Sequence, residues 1–231
     1  MQYIKKQNTE PNQWNNWFIV PPSRRTFDYG VDCSSLPSLT NAKQYLIDEQ
    51  HGLCAYCQQK IDIKSASIEH VTPKEHNKEL STCYYNLVAV CKKNQAKDPM
   101  TGKLHCDSTR GSRLIAPIIF YTASQSLQDL TNNFFVAYAS GEIIAKPKLE
   151  ESIRKQVEAF IEILNLNHSL LKASRAKDTL RGIIEAYASL PALSHHKSSF
   201  WRSQYNRILN NQSHPYREYL LVFIGPKIGL N

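Results

Sequence analysis

The feature that constrains this chain most is a pair of thiols, Cys54-Ala55-Tyr56-Cys57. It heads a stretch, residues 53–110, that is short, Cys-rich, irregular and too polar to make much core by itself. A segment of that kind folds readily only around a cross-link, and a bound metal explains how it does so. Two residues between thiols let one tight turn aim both sulfurs at a single zinc ion. A C-x-x-C pair also occurs as a redox couple, but that couple opens a helix in a βαβ setting. Here Gln58-Gln59-Lys60 leads into an alternating run, Ile61 to Ile63, which is expected to be a strand.

A closed zinc site takes four ligands. Cys91 and Cys106 are the downstream candidates, with Cys83 and His105 as substitutes. Asn94 stands where a second tight pair would place its second thiol, and the next cysteine follows the insertion KKNQAKDPMTGKLH, a loop able to fold out without disturbing the metal. The expected site is therefore the structural zinc set Cys54, Cys57, Cys91 and Cys106. Cys33 and Cys83 read as plain core or surface thiols.

Composition bounds the class. Of 231 residues, 42% are hydrophobic and 21% charged, ordinary values for a globular chain. No apolar run approaches the roughly 20 residues a membrane helix needs. The N-terminus, MQYIKKQNTEPNQW, has no apolar stretch behind its charges and does not read as a secretory signal. A cytoplasmic location is expected, where cysteines stay reduced or metal-bound. The net charge is +8, and from Ser152 onward eleven Lys/Arg against five Asp/Glu leave +6 of it. Such an excess favours polyanions, nucleic acid first among them, although many basic proteins are only kept in solution by it.

Three regions are expected: an N-terminal arm over 1–37 that packs on or reaches across something, a core over 38–112, and a hairpin with a helical region over 113–231. A helix running from Leu39 should end at His51-Gly52. Ile115 to Ile119 is a short apolar run, and FFVAYASGEIIAKP (134–147) reads as a hairpin turning at Ser140-Gly141. Helical stripes follow: Ile153, Val157, Phe160, Ile161 and Leu164, then Leu170, Leu171, Leu180, Ile183, Ile184 and Tyr187. An aromatic helix over 197–210 comes next, and Pro215 could open another at its first turn.

The chemistry centres on Ile68-Glu69-His70-Val71-Thr72-Pro73-Lys74. A histidine can deprotonate water near neutral pH, and a neighbouring carboxylate can hold a divalent ion that polarises a phosphate. Glu-His before a proline is alone a common accident. Its order with the thiol pair, with Asn86-Leu87 opening what reads as an apolar helix, and with Cys91 is much rarer.

Those residues together resemble the HNH nuclease family. The resemblance implies an α+β chain with a zinc-braced ββα-metal core, a β-hairpin and a C-terminal helical region. It implies His70 as general base, Glu69 as a ligand of the catalytic Mg2+ or Mn2+, and Asn86 as the prop of the loop that holds the base. The family's third position is not clearly matched: Asp107 could supply an oxygen to the catalytic ion, with His105 the other candidate. The spacing, with Gln50-His51-Gly52-Leu53 ahead, Glu10-Pro11, Leu164-Asn165-Leu166-Asn167 and Arg175, is similar to the HNH subunit of Septu anti-phage systems, the PtuB family also found beside retrons. That likeness implies a toxic nuclease controlled by a PtuA-like ABC-type ATPase, and in retron versions by a reverse transcriptase with its multicopy DNA.

Three readings follow from the residues. The first is a phosphodiester hydrolase, for which the family resemblance implies DNA as the favoured substrate, with an RNA such as tRNA the alternative. The second is a non-catalytic zinc ribbon that docks nucleic acid or a partner, and the third is an adaptor built on the helical tail. Glu69-His70 with Asn86 between the thiols favours the enzyme, because a plain ribbon does not need them. Tyr84 and Tyr85 could stack on bases or pack a core. His195-His196 reads as solvated, Trp201, Tyr205 and Ile208 as a core or interface stripe, and Arg175 and Arg181 as phosphate contacts or a wet helix face.

Overall fold

A computed structural model describes residues 4, 6, 10–18, 37–92, 96–116, 134–191 and 196–230. Cys33, His195 and the end of the Ile115–Ile119 run lie outside them. Helix α1, Pro37–Glu49, ends where expected. His51 and Gly52 take positive φ, 55° and 73°, and Gly52 N donates to Ile47 O at 2.9 Å, closing the last turn as a left-handed cap does.

Strand β1 is Ala66–His70 and β2 is Leu87–Cys91. They pair antiparallel, Ala66 opposite Cys91 and His70 opposite Leu87. Two expectations are corrected here. The apolar run after Asn86 is a strand, not a helix: five residues, all buried, two of them valine, suit a covered strand and are too few for a stable helix. Ile61–Ile63 is not a strand either. The Asp62 carboxylate accepts from Lys64 N (3.0 Å) and Ser65 N (2.7 Å), so the chain turns there and pairing begins at Ala66.

Gln50, fully buried behind α1, extends the sheet with a side chain. Its amide donates to Ala89 O at 2.7 Å and accepts from Ala89 N at 2.7 Å. The described part of the arm packs on the same unit. Trp14 is 0% exposed, lies within ring-contact distance of Trp17, Phe18, Tyr45 and Tyr84, and donates Nε1 to Thr82 O at 2.8 Å.

After a one-turn helix α2, Asp107–Arg110, strands β3 (Phe135–Ala137) and β4 (Ile143–Ala145) form the expected hairpin. Its turn glycine, Gly141, has φ 85°, and a Cβ there would lie 2.0 Å from Lys172 O. Helix α3, Glu151–Ile163, buries Val157, Phe160 and Ile161. Helix α4 (Ser169–Ala173) runs through a π-helical segment (Ser174–Leu180) into α5 (Arg181–Ala188). Leu171, Leu180 and Ile183 are buried, but Leu170 and Ile184, each a chain neighbour of a buried residue and about 100° round the helix from it, are exposed.

Helix α6, His196–Leu209, is the expected aromatic helix, begun one residue earlier at His196. It buries Tyr205 and Ile208. Helix α7, Arg217–Ile224, starts two residues beyond Pro215. One buried cluster runs from Ile4 and Trp14 through both sheets to Ile224. Among the described residues no helix is long and apolar enough to cross a membrane.

Candidate metal centre and nuclease site

Four buried sulfurs meet between the β1–β2 sheet and the C-terminal helices. The Sγ atoms of Cys54, Cys57, Cys91 and Cys106 all lie within 4.8 Å of one another, with Cys57–Cys91 at 3.6 Å and Cys54–Cys106 at 4.0 Å. Tetrahedral zinc with Zn–S near 2.3 Å requires sulfurs roughly 3.8 Å apart, so the set fits that ion. The turn that makes this possible has Gln58 N on Cys54 O at 3.0 Å and Gln58 at φ 64°. Cys91 N donates to Cys54 Sγ at 3.4 Å. Cys106, also left-handed (φ 56°), is pinned by its N–H on Leu164 O at 2.8 Å.

Burial pushes the Cys54 thiol up, but hydrogen bonds from Cys106, Cys57 and Cys91 outweigh it and hold it well below the usual range. Burial, together with hydrogen bonding to the other thiols, pushes Cys106 well above it. A divalent ion is what would let all four deprotonate together. Cys83 stays outside the cluster. His105 belongs to it as a neighbour, with Nδ1 3.2 Å from Cys106 Sγ and 3.9 Å from Cys91 Sγ. The insertion before it does not simply fold out. Asp98 closes its turn by accepting from Met100 N (2.8 Å) and ties it to α4 by accepting from Ser169 N (2.7 Å).

His70 ends β1. Its Nε2 lies 3.0 Å from Ser81 O. A carbonyl can only accept, so Nε2 carries the hydrogen and Nδ1 is the nitrogen that takes up a proton. Burial lowers the His70 pKa, partly offset by the Ser81 contact, and the ring is neutral at physiological pH. Asn86 closes the loop between them: its Oδ1 accepts from Thr72 N (2.7 Å) and its Nδ2 donates to Thr72 O (3.0 Å) and Leu80 O (3.2 Å).

Glu69 is 7% exposed. Burial and then the adjacent Asp107 carboxyl raise its pKa to about 8, against the pull of Arg110. Cations already attend both carboxylates, Arg110 at Glu69 and Lys92 Nζ 4.0 Å from Asp107 Oδ2. Asp107, at the start of α2, is thus beside Glu69, whereas His105 faces the thiols. No third histidine or carboxylate joins the two: among the described residues the four thiols are the one such gathering of three or more ligand side chains.

Arg110 had no counterpart in the sequence reading. It is 1% exposed, ion-pairs with Glu69, and donates to Tyr56 Oη (3.0 Å), His70 O (2.8 Å), Val71 O and Arg113 O (2.9 Å). It clamps the backbone at the histidine and at the residue after it. Its only sequence signal was a cation one helical turn after Asp107. Arg175, expected to meet phosphate or water, is instead buried at 3% exposure. Arg181 is on a wet face, paired with Glu185 at 2.7 Å.

Residues 54–97 match the family model of the HNH endonucleases. The match takes in Cys54, Cys57, Glu69, His70, Asn86 and Cys91, and stops short of Cys106, Asp107 and Arg110. No curated protein matches the chain. The chain thus carries an HNH endonuclease domain in a setting of mixed helix and small antiparallel sheets, with a four-cysteine cluster able to bind metal.

Proposed function

We propose that this chain is a metal-dependent nuclease that hydrolyses nucleic-acid phosphodiesters, with DNA the favoured substrate. The observation that carries the reading is the fixed tautomer of His70. Ser81 O holds Nε2–H and Asn86 holds the loop that presents Ser81, which fixes the ring in the tautomer with which His70 would act as general base on an attacking water. Arg110 fixes the strand end by binding the carbonyls of His70 and Val71. Glu69 and Asp107 would hold Mg2+ or Mn2+, which when bound supplies the positive charge that stabilises the developing phosphate charge and the leaving oxygen. Zinc on the four cysteines would be structural, closed to substrate.

The chain's likeness to the PtuB family supports a role as the toxic effector of an anti-phage complex in the cytoplasm, governed by a PtuA-like ABC-type ATPase and in some settings by a retron reverse transcriptase with its multicopy DNA. The +6 charge beyond Ser152 and the helices α3 to α7 provide surface for such partners beyond what hydrolysis needs. One observation favours the non-catalytic zinc-ribbon reading instead: an oxygen of Glu69 is already engaged by Arg110. The test is to express the chain free of its partner and sequence genomic breaks and small-RNA ends. Metal-dependent breaks through chromosomal or phage DNA support the proposal, intact DNA with one cut tRNA moves the substrate to RNA, and no cleavage of either leaves the binding module.

A further inference from the structure

From Ala186 to Asn231 the chain holds one acidic residue, Glu218, against the five cations Lys197, Arg202, Arg207, Arg217 and Lys227. Glu218 is buried and paired with Arg217. The acid just before this stretch, Glu185, is paired with Arg181. Arg202, Arg207 and Lys227 are exposed, and Lys197 is half-buried. Among the described residues none of these four has a carboxylate partner.

Four aromatic rings stand among these cations. Tyr187 of α5 lies 5.6 Å from Phe200 and 4.9 Å from Trp201, both on α6, and those two rings are 5.4 Å apart. Lys227, on the turn Gly225–Ile228 that follows α7, holds its Nζ 5.1 Å from the Trp201 ring centroid and 4.7 Å from that of Phe223. Lys197 Nζ is 5.4 Å from the centroid of Tyr187. Phe200 and Arg207, seven residues apart, share one side of α6. All four rings are half-buried, so each packs one part on the core and leaves another at the surface. The exposed Lys227 over two of them marks that surface side.

Packing alone accounts for the rings but not for their company. Cations gathered without counter-charge repel one another, which costs stability unless an anion is met there. A polyanion supplies that charge. An unpaired nucleic-acid strand is the polyanion that also offers ring faces, since a duplex keeps its base faces in the stack and an anionic lipid surface has none.

We propose that the face formed by α6, Tyr187 and the Gly225–Ile228 turn is a binding site for an unpaired nucleic-acid strand. Bases stack on the surface parts of Phe200 and Trp201, and phosphates meet Lys197, Arg207 and Lys227. No residue of this face belongs to the catalytic set, so it holds a strand and does no chemistry on it. That the strand is substrate rests on the nuclease reading above, whereas the binding itself does not.

The test uses the purified full chain carrying His70→Ala, so that the probe is not cut, and fluorescence anisotropy with labelled oligo-dT and oligo-U. Both should bind, and more tightly than a duplex of equal length at the same salt. Phe200→Leu should weaken binding about 5–150-fold, the loss of one stacked base, with its salt dependence unchanged. Arg207→Gln and Lys227→Gln, at exposed positions where folding is not at risk, should each lower the slope of log K against log salt by about 0.7, the share of one phosphate. Charge variants that bind both oligonucleotides as the parent does would overturn the proposal. So would a parent that binds duplex as tightly as single strands, or one whose face retains a co-expressed protein or anionic vesicles but no oligonucleotide. Binding that follows the expected pattern in a chain whose His70 parent never cleaves would support the site and overturn the nuclease reading instead.

Discussion

Replacing Asn86 by alanine removes three hydrogen bonds at once, to Thr72 N, Thr72 O and Leu80 O, at 2.7, 3.0 and 3.2 Å. A typical buried hydrogen bond contributes about 1 kcal/mol net, which would make about 3 kcal/mol for the set. Thr72 and Leu80 are only half-buried, so water can re-pair part of what is lost, and the expected cost falls to about 2–3 kcal/mol. That is small enough to leave a domain of ordinary stability folded. The functional loss should be larger in proportion. The loop freed by the substitution carries Ser81 O, which orients His70, and misplacing a reacting group by about 1 Å can cost about 10²-fold in rate. Urea unfolding of the zinc-loaded chain, at unchanged denaturant slope, measures the first quantity. Single-turnover cleavage measures the second. Asn86→Asp sharpens the test: it keeps an acceptor for Thr72 N but turns a carboxylate toward two carbonyls. At neutral pH its deficit should match or exceed that of alanine, because a carboxylate set against two carbonyls leaves them unpaired and repels them. An alanine variant within about 0.5 kcal/mol of the parent that cleaves at the parental rate would refute the reasoning.

Burial lowers the His70 pKa below its ordinary value. The neutral, active form therefore persists below pH 6.5 and is lost only as the pH falls through the lowered value, so the acid limb of the cleavage profile should lie below that of an exposed histidine; a limb at or above 6.5 would contradict the burial argument. Trp14→Ala should destabilise the chain by about 3–5 kcal/mol in thermal or urea unfolding, the usual cost of emptying a buried indole site. It should also slow cleavage in the folded fraction, because Trp14 anchors Thr82, next to the Ser81 carbonyl that holds His70.

The thiol grouping was legible because ligand chemistry is written in residue types: Cys54, Cys57, Cys91 and Cys106 could be picked out by spacing, and the structure gathers them. The hairpin at Gly141 and the stripe on α3 were legible from period alone. Strand β2 was not, since Leu87-Val88-Ala89-Val90 is a continuous apolar run that fits a covered strand or a short helix equally. Ile61–Ile63 misled because a single Asp62 side chain redirects the backbone. Leu170 and Ile184 were read into the stripe although each adjoins a buried residue, Leu171 or Ile183, and adjacent helical residues cannot share one narrow face. Arg110 was the largest omission, and Arg175, read as a phosphate contact or part of a wet face, was the largest misplacement. Both are cations in the interior, and composition gives every lysine and arginine the same expectation of solvent. What distinguishes them is what each one meets, the Glu69 carboxylate for the first and the Gly141 carbonyl for the second, and those meetings arise only from the fold.

The central claim is that His70 takes the proton of the attacking water. It is tested most directly by cleavage of DNA and RNA by the purified His70→Ala chain in Mg2+ or Mn2+, with zinc content and unfolding measured on the same sample. Loss of a well-placed general base should lower the rate by about 10²–10⁴-fold while zinc and stability stay near the parental values. A folded, zinc-bearing His70→Ala chain that cleaves as fast as the parent would contradict the account.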